Sequence, residues 1–185
     1  MNSEAMKMKQ PTQTTQTTQT TQTTQTTGGH EVLTRAATAE TITDGPGSTI
    51  TLLTDTAELT CNTAAFEEGA AGAPVHFHTK ATEFFHVLSG RLDVLVGDEV
   101  RTLTAGDFLS VPPGTKHAFA PHPGHTAEVF VGFTPGMGRF DYYRLLGRVR
   151  AGEATVQDIL DSQPVYDNHY AESDAWAGRL RSADA

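Results

Sequence analysis

Three histidines and one glutamate fall within the segment PVHFHTKATEFFHVLSG, residues 74–90, among large apolar side chains. Residues i and i+2 of a β-strand share one face, so His76 and His78 point the same way. In the following apolar run, Glu83 shares a face with Phe85, and a carboxylate buried there requires a partner or a cation. The two imidazoles nearby would meet that requirement only if a metal joined them to the carboxylate.

A second segment, GDFLSVPPGTKHAF, supplies another imidazole. His117 begins the strand after the rigid PPG turn, and in a rolled sheet its side chain can return beside the first pair. Three neutral imidazoles and one carboxylate suit a divalent first-row metal (iron, nickel, manganese or cobalt, with zinc as a further candidate), and they leave coordination positions open. The alternative is a set of hydrogen-bonded core histidines without a metal.

The elements that must position these residues are short. From residue 30 to 135, β-type runs alternate with Gly, Pro and Asp turn signals, which predicts an antiparallel sandwich or barrel. After TPGMG the spacing of Phe140, Tyr143 and Leu146 becomes helical. Thr155, with Asp158 three residues later, predicts the start of a second helix. We therefore expect residues 136–185 to form a helical C-terminal extension.

The composition limits the class of protein. The triplet QTT occurs five times in succession between Gln13 and Thr27, and we predict that residues 1–29 form a disordered Gln/Thr-rich tail. The net charge of −9 disfavours nucleic acid and anionic membranes as partners. The single cysteine, Cys61, excludes an intramolecular disulfide and a thiolate metal cage. The start, MNSEAMKMKQ, shows no apolar signal sequence, and we expect a cytoplasmic protein.

The two histidine segments together resemble the two motifs of the cupin family. The first motif is matched by His76, His78, Glu83 and Gly90, and the second by Gly106, Pro112, Gly114 and His117. The resemblance implies an all-β protein, an antiparallel β jelly roll forming a single cupin barrel over residues 30–135. It also implies that His76, His78, Glu83 and His117 bind one divalent metal.

Further features resemble quercetin 2,3-dioxygenase-type enzymes of that family: P-x-H-x-H at the site, an aromatic second strand, GDF-x-x-VP, and the aromatic segment TPGMGRFDYY. This resemblance implies a dioxygenase that cleaves a flavonol-like or other enolic aromatic substrate with O2. Glu83 would be the catalytic general base. Phe85, Phe119 and Phe133 are the candidate walls of the substrate pocket.

Two other functions remain open on the same scaffold. A non-oxidative isomerase, polyketide-type cyclase or decarboxylase would use the same metal and Glu83 to stabilise an enolate without consuming oxygen. A small-molecule-binding protein would hold a ligand without turnover. The family resemblance also implies a homodimer.

Overall fold

The structure, a computed structural model, describes residues 31–179, and from Val32 onward they belong to one compact unit. The predicted Gln/Thr-rich tail, residues 1–29, lies outside the described residues. Within them, a 3-10 turn at Ala36–Thr38 precedes ten strands. The strands are β1 (Thr41–Gly45), β2 (Ser48–Asp55), β3 (Thr60–Phe66), β4 (Ala73–Phe77), β5 (Thr82–Val96), β6 (Glu99–Thr104), β7 (Phe108–Val111), β8 (His117–Pro121), β9 (Ala127–Thr134) and β10 (His169–Tyr170).

The strands form a curled antiparallel sheet in the order β1-β2-β3-β9-β5-β8-β4-β10, with β6 and β7 paired to β5. Strand β5 joins the two sides of the barrel, because its first half pairs with β7 and β9 and its second half with β6 and β8. The predicted antiparallel β jelly roll is confirmed. The resulting curvature brings the ends of strands distant in sequence to one place.

Ser89-Gly90 is one of the glycine turn signals between residues 30 and 135, and it predicts a turn between two strands. The chain instead continues as one strand, with a bulge in its pairing to β9 between Val87 and Ser89. Gly90 has φ +75°, and a Cβ there would lie 2.0 Å from the Thr126 carbonyl oxygen. Only glycine fits this bend, at which β5 passes from one side of the barrel to the other.

Side-chain alternation along the strands fills the barrel interior. Phe85 and Val87 of β5 and Val129 and Phe133 of β9 are completely or almost completely buried, whereas Phe84 and Phe130 lie on the outer face. Such period-two alternation is what a sheet with one buried face requires. The polar residues that share this interior, Glu83 among them, are therefore surrounded by apolar side chains.

Four short helices follow the barrel: α1 (Phe140–Ala151), α2 (Val156–Asp161), α3 (Gln163–Tyr166) and α4 (Asp174–Gly178). Tyr142, Tyr143 and Leu145 of α1 are buried and cluster with Ile50 and Leu52 of β2. The predicted start of the second helix is confirmed, because Thr155 and Asp158 form a reciprocal capping box. Among residues 31–179 no helix is both long and apolar enough to span a membrane.

Candidate metal centre and cavity

The structure brings together the four residues that the sequence predicted as metal ligands. His76 lies on β4 directly opposite His117 at the start of β8, His78 follows the end of β4, and Glu83 lies on β5. One nitrogen or oxygen atom of each side chain lies within 4.8 Å of the others. All four residues are at least 96% buried, so the cluster is shielded from bulk water.

Backbone carbonyls fix the orientation of all three imidazole rings. Each Nδ1 lies within hydrogen-bonding distance of a carbonyl oxygen, which can only accept, so each Nδ1 carries the proton. A neutral imidazole then presents the lone pair of Nε2 to the centre of the cluster. The three pairs are His76 with Pro74 at 2.8 Å, His78 with Asp167 at 2.6 Å, and His117 with Thr115 at 2.9 Å.

The Nε2 lone pairs converge on the Glu83 carboxylate. The Glu83 Oε2 atom lies 2.6 Å from the Nε2 atom of His117, 3.1 Å from that of His78 and 4.0 Å from that of His76. Lone pairs facing a carboxylate oxygen repel one another unless a proton or a metal cation lies between them. Three nitrogens and one oxygen fit a divalent transition metal with open coordination positions. The cluster could therefore hold such a metal.

In the absence of a metal, a proton would stabilise the cluster. Burial by itself raises the pKa of Glu83, but the charge of His117 and the contacts with the His117 and His78 imidazoles hold that pKa well below its usual range. Burial lowers the pKa of His117, but Glu83 outweighs burial and raises it. The pKa of His76 is well below its usual range because of burial and then repulsion by His117. Both shifts favour a proton held between His117 and Glu83.

Asp167, which the sequence analysis missed, anchors the segment that carries His78. Its carbonyl oxygen accepts the hydrogen bond from His78, and its carboxylate accepts from the backbone N–H groups of Thr79 and Lys80 at 2.9–3.1 Å. The Thr79 hydroxyl donates to the same carboxylate at 2.6 Å, and His169 Nε2 lies 3.0 Å from it. The only sequence signal was the turn-forming pair Asp167-Asn168, 89 residues beyond His78.

A cavity of about 450 Å³ opens beside the cluster, with His76 and Glu83 in its wall. This volume lies within the range of small-molecule sites. Most of its surface is contributed by apolar and aromatic side chains of β2, β3, α1 and α2. Besides the two ligands, the wall includes Ile50, Asn62, Ala64, Phe66, Phe119, Val131, Arg139, Tyr142, Tyr143, Leu146, Ile159 and Asn168.

Of the three phenylalanines predicted for the pocket, Phe119 lies in the cavity wall. Phe85 and Phe133 are completely buried and are not part of that wall. Their rings pack against the predicted ligands instead, with Phe85 6.3 Å from His117 and Phe133 5.5 Å from His78 between ring centroids. They support the imidazole rings from the core.

The C-terminal helices supply most of the cavity residues that the sequence analysis missed. Tyr142 and Tyr143 of α1 face the cavity, and burial raises the pKa of both phenols, that of Tyr143 to about 12. The Tyr143 hydroxyl donates to Asn62 at 2.9 Å, and the hydroxyls of Tyr142 and Tyr170 lie 2.9 Å apart. The helical spacing of this segment predicted the helix but not the surface on which it packs.

Comparison with known proteins agrees with this architecture. A Cupin domain matches residues 62–132, which contain all four predicted ligands. Among solved structures, an RmlC-like cupin from Shewanella frigidimarina NCIMB 400 is 26% identical with a TM-score of 0.53, covering 61% of this chain and 96% of that one. The jelly roll described above is thus a cupin fold.

Two curated fungal proteins match part of the chain. "Oxidoreductase iacF" of Pestalotiopsis fici is 37% identical over 62 residues, 33% of this chain and 30% of that protein. "Probable oxidoreductase virH" of Hypocrea virens is 30% identical over 69 residues, 37% of this chain and 32% of that protein. The matches thus span about a third of the length of each curated relative.

Proposed function

We propose that this protein, which has a cupin fold and matches a Cupin domain over residues 62–132, is a metal-dependent dioxygenase acting on a flavonol-like or other enolic aromatic substrate. One observation carries the proposal: three Nε2 lone pairs and the Glu83 carboxylate converge at the wall of a largely apolar cavity. Because cupin folds serve many functions, the residues of this site, and not the fold, support the proposed activity.

The donor set favours iron, nickel, manganese or cobalt, with zinc as a further candidate. Bound to His76, His78, Glu83 and His117, such a metal supplies Lewis-acid polarisation of a substrate hydroxyl. The chain does the remaining work of binding and proton transfer. Pro74, Thr115 and Asp167 hold the imidazole rings in the tautomer that a metal requires.

Glu83 is placed to remove the hydroxyl proton of the substrate. Its Oε2 atom faces the imidazoles, whereas its Oε1 atom makes no hydrogen bond with any residue in the described range 31–179. Glu83 also lies in the cavity wall, so a hydroxyl that reaches the site meets this second oxygen. Oε1 accepts the proton, and the electron-rich enolate left behind is the species that reacts with O2.

The cavity walls orient a planar substrate and exclude water. Phe66, Phe119 and Tyr142 provide aromatic surfaces for ring packing. The hydroxyls of Tyr142 and Tyr143 are occupied by other residues and stay protonated because burial raises the pKa of both phenols. The site thus offers apolar faces and little competing proton chemistry.

The names of the two fungal relatives favour oxidative chemistry over an isomerase, cyclase or decarboxylase. Both are called oxidoreductases. The similarity covers about a third of each relative, so it supports oxidative chemistry only for the shared segment.

Oxygen uptake tests the proposal. The metal-free protein is reloaded separately with iron, nickel, manganese and cobalt and mixed with quercetin and related enols. We expect uptake with at least one metal, both atoms of labelled O2 in the product, and loss of uptake in Glu83→Gln and His117→Ala. His86→Ala is the matched control, because His86 lies on β5 but on the outer face.

Substrate conversion without oxygen uptake would instead identify a non-oxidative enzyme. Tight ligand binding without any product would identify a binding protein. Failure of the wild-type protein to bind any of these metals would refute the proposed site.

A further inference from the structure

Arg139 is a buried cation in the wall of the cavity. It precedes α1, its side chain is 97% buried, and it lines the same cavity as Glu83. No carboxylate oxygen of residues 31–179 lies within 4.0 Å of its guanidinium nitrogens. Arginine keeps its charge when buried, and a buried charge without an ionic partner is costly. Other interactions must therefore stabilise the buried guanidinium.

Aromatic rings account for part of its stability. The guanidinium carbon lies 4.4 Å from the ring centroid of Tyr142, 5.0 Å from that of Phe133 and 5.5 Å from that of Tyr143. Cation–π contacts of this kind favour the charged form but do not use the N–H groups. The hydrogen-bonding capacity of Arg139 has to be satisfied separately.

One edge of the planar guanidinium is used by the protein. The Nη1 and Nη2 atoms both donate to Oδ1 of Asn168 at 3.2 Å, and Nη1 also donates to the Tyr166 carbonyl at 3.5 Å. Arg139 also forms a side-chain hydrogen bond with Tyr143. The Nε atom, in contrast, is buried and has no hydrogen-bond partner among the described residues. The Nε–H is thus a charged donor left for an acceptor from outside the chain, and a carboxylate oxygen is the acceptor that a guanidinium binds most strongly.

The charges around the cavity favour an anion at this end. Burial acts to lower the pKa of Arg139, but Tyr143, Tyr142 and then Glu83 outweigh burial and raise it, so the guanidinium stays charged. A divalent metal at the cluster, together with Arg139, would exceed the single negative charge of Glu83. The other acidic residue in the wall, Asp44, lies on β1, whose Ile42 would contact a Cβ at Gly147 of α1. Gly147 is eight residues from Arg139, roughly 12 Å along the helix axis. Repulsion by Asp44 therefore acts at the other end of the cavity.

We propose that the substrate carries a carboxylate, which pairs with the Arg139 guanidinium through its unpartnered Nε–H while its ring-bearing body occupies the apolar cavity beside the candidate metal ligands. The inference deepens the proposed function, on which it rests for the identity of the reacting hydroxyl. It narrows the substrate class from enolic aromatics in general to hydroxylated aromatic acids. Arg139 acts as a specificity residue that positions the substrate.

Binding of a matched pair of probes tests the inference without turnover. 2-Naphthoate and its neutral isostere 2-naphthamide are titrated calorimetrically into the full-length protein, with and without cobalt. We expect naphthoate to bind about 10- to 100-fold more tightly than naphthamide in both states, as a charge-assisted pair would give. Arg139→Gln should remove this preference while naphthamide binding persists. Arg144→Gln is the matched control, because Arg144 lies on α1, five residues after Arg139, and pairs with Glu40 at the surface.

Equal binding of the two probes by the wild-type protein would overturn the inference. So would a preference that survives in Arg139→Gln, or one that appears only with cobalt, since the carboxylate would then bind the metal. If Arg139→Gln does not fold, Arg139→Lys decides: it keeps the charge without the fork, and a preference reduced at least about fivefold supports the inference, whereas an unchanged one refutes it. A carboxylate preference in metal-free protein that shows no oxygen uptake would leave this inference standing and refute only the dioxygenase.

Discussion

Asp167 offers the sharpest test of how the chain holds its candidate metal centre. Replacing Asp167 by alanine removes the acceptor of the Thr79 and Lys80 N–H groups and of the Thr79 hydroxyl. A buried donor left without an acceptor costs about 1–3 kcal/mol. Because these three donors are only partly buried, we take the low end for each and expect the free energy of unfolding to fall by about 3 kcal/mol in total. Asp167 also has φ +50°, where alanine costs about 1 kcal/mol more than a residue that tolerates this conformation.

Metal affinity should also fall in Asp167→Ala. The carbonyl of residue 167 fixes the His78 ring, and once the carboxylate no longer anchors the segment after His78, that geometry loosens. Loss of such support for a ligand typically costs about 10- to 100-fold in metal affinity. We expect Asp167→Ala to show both effects, measured by chemical denaturation of the metal-free protein and by competition with a chelator for cobalt.

Asp167→Asn is the matched control. Asparagine tolerates positive φ, keeps one acceptor for the backbone N–H groups, and can turn its amide toward the Thr79 hydroxyl and His169. We expect it to lose less than about 1 kcal/mol of stability, since most of these hydrogen bonds survive. A cobalt affinity of Asp167→Ala within about threefold of wild type would refute the view that Asp167 supports His78.

Three other predictions concern the cluster and the outer face. His76→Ala should lower cobalt affinity by more than about 100-fold because it deletes a ligand, whereas His122→Ala, a histidine paired with Asp93 away from the cluster, should not. The raised pKa of His117 means that a metal displaces about one proton below that pKa and none above it, so cobalt affinity should rise with pH and then level off; a two-proton slope would contradict this. Phe108 is 63% exposed, and its ring lies 5.8 Å from that of Phe84 on the outer face, so we expect a homodimer that Phe108→Asp converts to a monomer in sedimentation; a monomeric wild type would refute the expectation.

Local spacing carried most of what the sequence predicted correctly. The i, i+2 pair His76 and His78 had to share a face, and period-two alternation placed Glu83 on the buried face of β5. The capping pair Thr155 and Asp158 was equally readable, because both partners of its hydrogen bonds lie within one turn. The sequence did not show that β5 continues through Ser89-Gly90, because a bulge and a turn have the same local sequence signals.

The sequence by itself therefore determined the four residues of the candidate metal centre and the β architecture, because both depend on residue type and short-range periodicity. Only the tertiary structure decided what surrounds the cluster. The Asp167 support for His78 spans 89 residues, and Arg139 reaches the cavity because α1 packs across β1 and β2. Neither contact produces a periodic pattern in the sequence, because each depends on how the C-terminal segment packs over the barrel. The spacing of the sequence identified the residues that could hold a metal, but it did not identify the residues that would select a substrate.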